Sequence, residues 1–224
     1  MCGRYTQRAT PEAVAKQFKL KKPPPLFKPN YNVAPSEQVL AIRREAESGE
    51  REGVLLRWGL IPVWAKDTKI GNHCINAKAE TVAVKPAFRS AFKKRRCLIV
   101  ADGFYEWKML SGRKQPMWIG RKDNTPFAFA GLWEYWKAES AEAIESCTII
   151  TTEPTQLMSE IHNRMPVILP ASAYDSWLDP ASADTELKEL LAAPVQEELF
   201  SYPVSRMVNS PKNNRPELLE PVSI

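Results

Sequence analysis

Apolar and polar positions along this chain fall into short runs rather than long repeats. Gln38–Arg43 and Gly53–Trp58 read as a strand pair joined by the charged loop Arg44–Glu52. Cys97–Val100, Tyr105–Lys108, Met117–Arg121, Phe127–Leu132 and Cys147–Thr151 read as further strands, and Val167–Leu169 as another. Helical spacing is confined to a few segments. Thr10 is placed to cap a helix that starts at Pro11, with Val14 and Phe18 on one face. Residues 86–95 align Phe88 with Phe92, and Glu153–Ile161 aligns Leu157 with Ile161. Two amphipathic helices are predicted near Ala173–Leu178 and Asp184–Ala192. Lys21–Pro29, with Pro23-Pro24-Pro25, reads as an extended surface loop. Pro35 bars a helix through Tyr31–Ala34, and the stretch from Phe200 onward reads as irregular with short extended pieces.

Strands and helices do not alternate in a way that builds a parallel doubly wound sheet. The order predicts an α+β fold, a single domain over 1–224 with a mostly antiparallel, barrel-like β core and peripheral helices. Hydrophobic residues, at 44%, are enough for a substantial core, and no apolar run is long enough to span a membrane. No signal-peptide pattern opens the chain. These features predict a soluble cytoplasmic protein, and the lack of heptads or an evident apolar interface predicts a monomer. The cysteines Cys2, Cys74, Cys97 and Cys147 form no C-x-x-C pair. Cys97 and Cys147 lie in apolar strand runs and read as buried. His73-Cys74 is half of a metal site at most, because the chain has only one other histidine. No metal and no cofactor are expected. A net charge of +5 with seven tryptophans fits single-stranded nucleic acid, where cations take phosphates and aromatic faces stack on bases.

Cys2 carries the most specific chemistry. Once Met1 is removed, residue 2 presents an α-amine and a thiol on neighbouring carbons. Their reference pKa values, about 7.7–8.0 and about 8.5, leave some of each group reactive at neutral pH. Such a 1,2-aminothiol condenses with an aldehyde to an imine and then closes a five-membered thiazolidine ring. Gly3 leaves the backbone beside it free to take unusual dihedrals. Arg4 places a fork of donors suited to phosphate next to it.

Other polar residues sit where strands meet loops. Taken singly, each has an ordinary explanation: Asn76 as a helix cap, Glu106 as an ion-pair partner for a lysine, His162 as a surface histidine. Six segments in order say more. Met1-Cys2-Gly3-Arg4-Tyr5, Tyr31-Asn32-Val33-Ala34-Pro35, Arg57-Trp58-Gly59-Leu60-Ile61-Pro62, Ile75-Asn76-Ala77, Ala101–Lys108 and His162-Asn163-Arg164-Met165-Pro166 resemble the SOS-response-associated peptidase (SRAP) family. The resemblance runs from Cys2 to about Pro211. It implies binding to single-stranded DNA that carries an abasic site, and a covalent crosslink between Cys2 and the ring-opened abasic aldehyde. A nucleoid association follows if the source is bacterial.

Roles follow from the resemblance position by position. Cys2, Asn76, Glu106 and His162 match catalytic positions: nucleophile, orienting amide, proton-relaying carboxylate, and acid for opening of the sugar ring. Arg4 and Arg164 match phosphate-contacting positions. Trp64 and Trp107 are the stacking candidates, with Pro35 an apolar wall. The resemblance also implies removal of Met1, the reaction behind the peptidase label, either by the same group with the Cys2 thiol as nucleophile or by an ordinary methionine aminopeptidase. Two positions depart from the pattern. Lys78 stands where arginine is expected, which replaces a fork of donors with a point charge. Asn163 stands where relatives carry aspartate beside the histidine. Two other classes of function remain open at this level. One is a cysteine peptidase acting on other proteins through Cys2, His162 and Asn76 or Glu106. The other is a non-catalytic reader of modified nucleic acid.

Overall fold

The computed structural model describes residues 2–138, 142–192 and 199–224. In chain order the elements are β1 (Tyr5–Gln7), α1 (Pro11–Gln17), β2 (Asn30–Val33), β3 (Gln38–Arg44), β4 (Arg51–Trp58), β5 (Asn76–Lys78), α2 (Arg89–Lys94) and β6 (Arg96–Ala101). They continue with β7 (Gly103–Leu110), β8 (Arg113–Arg121), β9 (Phe127–Trp136), β10 (Ile144–Thr152), α3 (Gln156–Ser159), β11 (Met165–Pro166), β12 (Ile168–Leu169), α4 (Tyr174–Leu178), α5 (Asp184–Ala192) and β13 (Leu199–Pro203).

Five strands close on themselves in the order β10-β4-β3-β6-β9, with β9 pairing back to β10. Every pairing in this ring is antiparallel except β4 with β10. The fold is therefore α+β around a mostly antiparallel barrel, as the sequence predicts. Alternation along the strands separates two cores. Leu40, Ile42, Leu98, Val100, Ala128, Ala130 and Ile150 face the helices, packing with Val14, Phe18, Phe92, Trp177 and Leu187. Helices cannot fit inside so small a ring, so this face is the outer one. The inner set holds Val39, Ala41, Leu56, Trp58, Cys97, Ile99, Phe129, Cys147 and Ile149. A second antiparallel sheet, β13-β8-β7-β1-β2, adds Tyr5, Val33, Phe104 and Ile119 to that inner core.

The join between the sheets is polar. The β3–β6 ladder pairs Ile42 with Leu98 and Ala41 with Ile99. At the next step the strands part, and the buried Gln7 side chain fills the gap. Its amide donates to Leu40 O at 3.1 Å and Val100 O at 2.7 Å, and its carbonyl accepts from Leu40 N at 2.9 Å. Asp102 forms a second clasp. It accepts from Thr6 Oγ1 at 2.6 Å, from the Arg8 main chain at 2.6 Å and from the Ala9 main chain at 3.1 Å.

Several local expectations are met. Thr10 caps α1, accepting from Ala13 N at 3.2 Å, and both Val14 and Phe18 are buried. Two expectations need correction. The helix within 86–95 is limited to Arg89–Lys94. The helix expected over Glu153–Ile161 is a single turn capped by Thr155, so Met158 and Ile161 turn inward while Leu157 stays half-buried. The short extended pieces expected from Phe200 onward include the end of β13, which pairs along β8 from Leu199↔Arg121 to Pro203↔Met117.

Gln7→Leu would strand three buried main-chain groups of Leu40 and Val100, each loss costing about 1–3 kcal/mol. The urea unfolding midpoint is expected to fall by an amount equivalent to on the order of 3 kcal/mol. A loss below about 0.5 kcal/mol would mean that water replaces Gln7 at the join.

Candidate active site

Cys2 lies just before β1, and β1 runs between β2 and β7 (Tyr5↔Val33, Tyr5↔Phe104). Tyr105 N donates to Arg4 O at 3.0 Å, extending this pairing toward residue 2. Cys2 is fully buried within the inner core, to which Met158, Ile161 and Met165 also belong. Its carbonyl accepts from Asn76 Nδ2 at 2.8 Å.

Asn76 is placed by the chain that follows β4. Gly59 has φ +125°, and a Cβ there would lie 2.7 Å from Gly71 O. This close approach seats the 3₁₀ turn Thr68–His73 against the end of β4. Trp58 Nε1 then donates to Ile75 O at 2.9 Å. Tyr5 packs its ring edge-on to Trp58 at 5.2 Å, so the indole that fixes residue 75 also supports β1. Asn76 enters β5, which pairs in parallel with β10. Its Oδ1 is buried with no hydrogen-bond partner among the described residues.

Glu106 belongs to β7 and is 2% exposed. Burial raises its carboxyl above the ordinary range, against the opposing pull of His162. Burial pushes the Cys2 thiol far above the usual thiol range, and the Glu106 charge adds to the shift. Glu106 thus acts on both Cys2 and His162. His162 follows α3, with its main-chain N donating to Met158 O at 2.8 Å. Its Nδ1 lies 3.0 Å from Arg164 N and 3.2 Å from Arg164 O. An N–H can only donate, so the shorter contact makes Nδ1 an acceptor and leaves the proton of the neutral ring on Nε2.

The residues expected to meet DNA form smaller groups. Arg4 Nη1 donates to Asn32 Oδ1 and Val208 O, both at 2.8 Å, and Nη2 to Asn209 O at 3.3 Å. Trp107 Nε1 donates to Asn209 Oδ1 at 2.8 Å, so Arg4 and Trp107 meet at one asparagine. Arg164 spans both oxygens of Glu80 at 2.5 and 3.0 Å and reaches Thr151 O at 2.6 Å. Lys78 is exposed at the end of β5, and Pro35 is half-buried. Trp64 is 56% exposed, with its Nε1 donating to Pro86 O at 3.5 Å. Among the described residues, no three His, Cys, Asp or Glu side chains are grouped to hold a metal ion.

Residues 1–211 match the family described as SOS response associated peptidase. The chain belongs to that family. It is 47% identical over 224 residues to the abasic site processing protein YoqW of Bacillus subtilis, covering 98% of this chain and 99% of that one. It is 32% identical over 238 residues to the abasic site processing protein HMCES of Mus musculus, covering 90% of this chain and 67% of the other. A crystal structure of a protein from Bacteroides thetaiotaomicron superposes with a TM-score of 0.88 at 27% identity, covering 99% of this chain and all of that one.

Three residues that sequence reasoning left without a role gain one from this fold. Asn32 binds Arg4 and donates to Ser210 O at 3.0 Å and Asn213 O at 2.9 Å. Trp58 fixes the entry to Asn76, and Glu80 holds Arg164. Asn32 and Trp58 stood inside quoted segments. Their polar atoms at the ends of apolar runs were the available signal. Asn209 lies in no segment that drew notice.

The raised Glu106 carboxyl has a testable sign. A carboxyl whose folded pKa exceeds its unfolded value stabilises the fold below the unfolded pKa. That contribution is lost as pH rises through the folded pKa. Glu106→Gln is therefore expected to gain thermal stability relative to wild type as pH increases from about 4 to above the raised pKa. A difference in Tm that is constant with pH would rule out the burial effect.

Proposed function

We propose that this protein captures abasic sites in single-stranded DNA as a covalent adduct on Cys2, shielding the lesion. Relatives named for abasic site processing support the reaction class. The observation that carries the finer reading is the convergence of Cys2, Asn76, Glu106 and His162 from four separate segments.

The sequence of steps needs no external reagent. Met1 is first removed, by the Cys2 site itself or by an aminopeptidase. His162 gives a proton to the ring oxygen of the abasic deoxyribose as its C1′ hydroxyl loses one, and the sugar opens to the aldehyde. The Cys2 α-amine attacks C1′, its proton passing to Glu106, whose burial raises its carboxyl above the ordinary range and makes it a stronger base. The carbinolamine loses water to give the imine. The Sγ–H then adds across the C=N bond, sulfur to carbon and proton to nitrogen, and the thiazolidine closes with one water released overall. Burial holds the thiol neutral until that step. A thiol peptidase needs the reverse, a thiolate stabilised beside an imidazolium. That contrast favours aldehyde capture. Asn76 holds the Cys2 carbonyl, and its second amide atom is left to accept a bond from amine or sugar. DNA is held by Arg4, Lys78 and Arg164 at phosphates and by Trp64 and Trp107 at bases, with Pro35 as a wall. These contacts carry little sequence preference.

Met1-processed protein mixed with single-stranded DNA bearing one abasic site is expected to give a heat-stable shifted band on a denaturing gel without borohydride. Cys2→Ala and undamaged DNA are expected to give none. Absence of the band with Met1 confirmed removed by mass spectrometry would end this reading.

Lys78 is the most exposed of the three proposed phosphate cations. Lys78→Ala is expected to lower the slope of log affinity against log salt for single-stranded DNA by about 0.7. An unchanged slope would remove Lys78 from the path of the strand.

A further inference from the structure

We infer that Glu80 is a positioning residue that acts on His162 through Arg164; the inference builds on the proposed abasic-site chemistry and adds a member to it. Glu80 lies four residues beyond Asn76, in the turn that leaves β5, whereas Arg164 lies two residues beyond His162. The two segments flank the end of β10, where Thr151 pairs with Lys78 of β5 on one side and Pro166 of β11 on the other. Thr151 O accepts from Ala79 N at 2.9 Å and from Arg164 Nη2 at 2.6 Å. The guanidinium also meets both oxygens of Glu80. The Arg164 side chain is therefore tied across three strand ends, with a fork-to-fork geometry that fixes direction as well as distance.

That tie matters because the Arg164 main chain is a partner of the imidazole. The His162 main-chain bond to Met158 O and the Nδ1 contacts to residue 164 both restrain it. In the neutral ring, Arg164 N–H donates to Nδ1. If a second proton arrives at Nδ1, Arg164 O is 3.2 Å away to accept it. The main chain of one residue thus serves both protonation states of a histidine proposed to move protons, provided residue 164 stays in place. The ion pair is poorly placed to serve mainly as a stability element. The Glu80 side chain is 47% exposed, and exposed pairs contribute little to folding. Hydrogen bonding to Arg164 keeps Glu80 ionised, lowering its carboxyl below the ordinary range.

The test uses the full chain with ¹⁵N-labelled histidine. The chain has two histidines, so His73 serves as an internal reference for His162. Long-range ¹H–¹⁵N spectra at alkaline pH are expected to show His162 as the Nε2–H tautomer in wild type. They are expected to show a mixture of tautomers in Glu80→Gln, with recovery toward wild type in Glu80→Asp. In single-turnover crosslinking at saturating abasic single-stranded DNA, Glu80→Gln is expected to slow the reaction about tenfold while its DNA Kd stays within about twofold. A wild-type tautomer in a folded Glu80→Gln would overturn the inference. So would tighter DNA binding with an unchanged crosslinking rate, which would make Glu80 a competitor of phosphate for Arg164. If wild type itself forms no crosslink, the abasic-capture reading fails on its own, and the tautomer measurement still decides the role of Glu80.

Discussion

The site depends on a three-residue strand held on every side. β1 pairs with β2 and β7, Gln7 plugs the gap between β3 and β6, and Asp102 gathers Thr6, Arg8 and Ala9. A strand so short has little stability of its own. Its position comes from buried polar groups that would cost more to leave unpaired than they return when paired. Such groups specify one register, because a slip of one residue would move Gln7 away from Leu40 and Val100 and turn Tyr5 out of the core. Residue 2 is located by this register together with the bond that its carbonyl accepts from Asn76.

Around it the protein gathers groups that water would normally keep apart. A thiol, a carboxylic acid and an imidazole meet where Cys2 and Glu106 are both almost wholly removed from solvent. Desolvation is the dominant influence on both titrating groups, and it favours the neutral form of each. Charge attraction from His162 opposes it at Glu106 without reversing it. The outcome is a site in which thiol and carboxyl both rest toward their neutral forms. The proposed capture of an aldehyde suits it, since an imine carbon is attacked well by a thiol that gives up its proton in the same step.

Much of this was legible in the sequence, and the boundary has physical causes. Strands of the barrel announced themselves through apolar runs such as Cys97–Val100 and Phe127–Leu132, whose neighbours on both faces are buried. The closure of β9 onto β10 was not readable, because pairing partners lie far apart in sequence and periodicity carries no partner information. The single turn of α3 was overread as a longer helix. Local spacing aligned Leu157 with Ile161, while packing selected Met158. The site residues came from six short segments recognised together, which is why Cys2, Asn76, Glu106 and His162 were nameable and Asn209 was not. The departures at Lys78 and Asn163 both lie on exposed positions, outside the buried group around Cys2.

The distance along the chain from Cys2 to its neighbours has a consequence for the timing of synthesis. Asn76 is 74 residues away, and Met158, Ile161 and Met165 of the same inner core come from farther still. At roughly 5–20 residues per second, the ribosome needs about 10–30 s to deliver them. During that interval residue 2 is the first part of the site to exist and the last to be enclosed. A long-range architecture folds late, and here lateness leaves the amino terminus open to processing on the nascent chain before the barrel seals it.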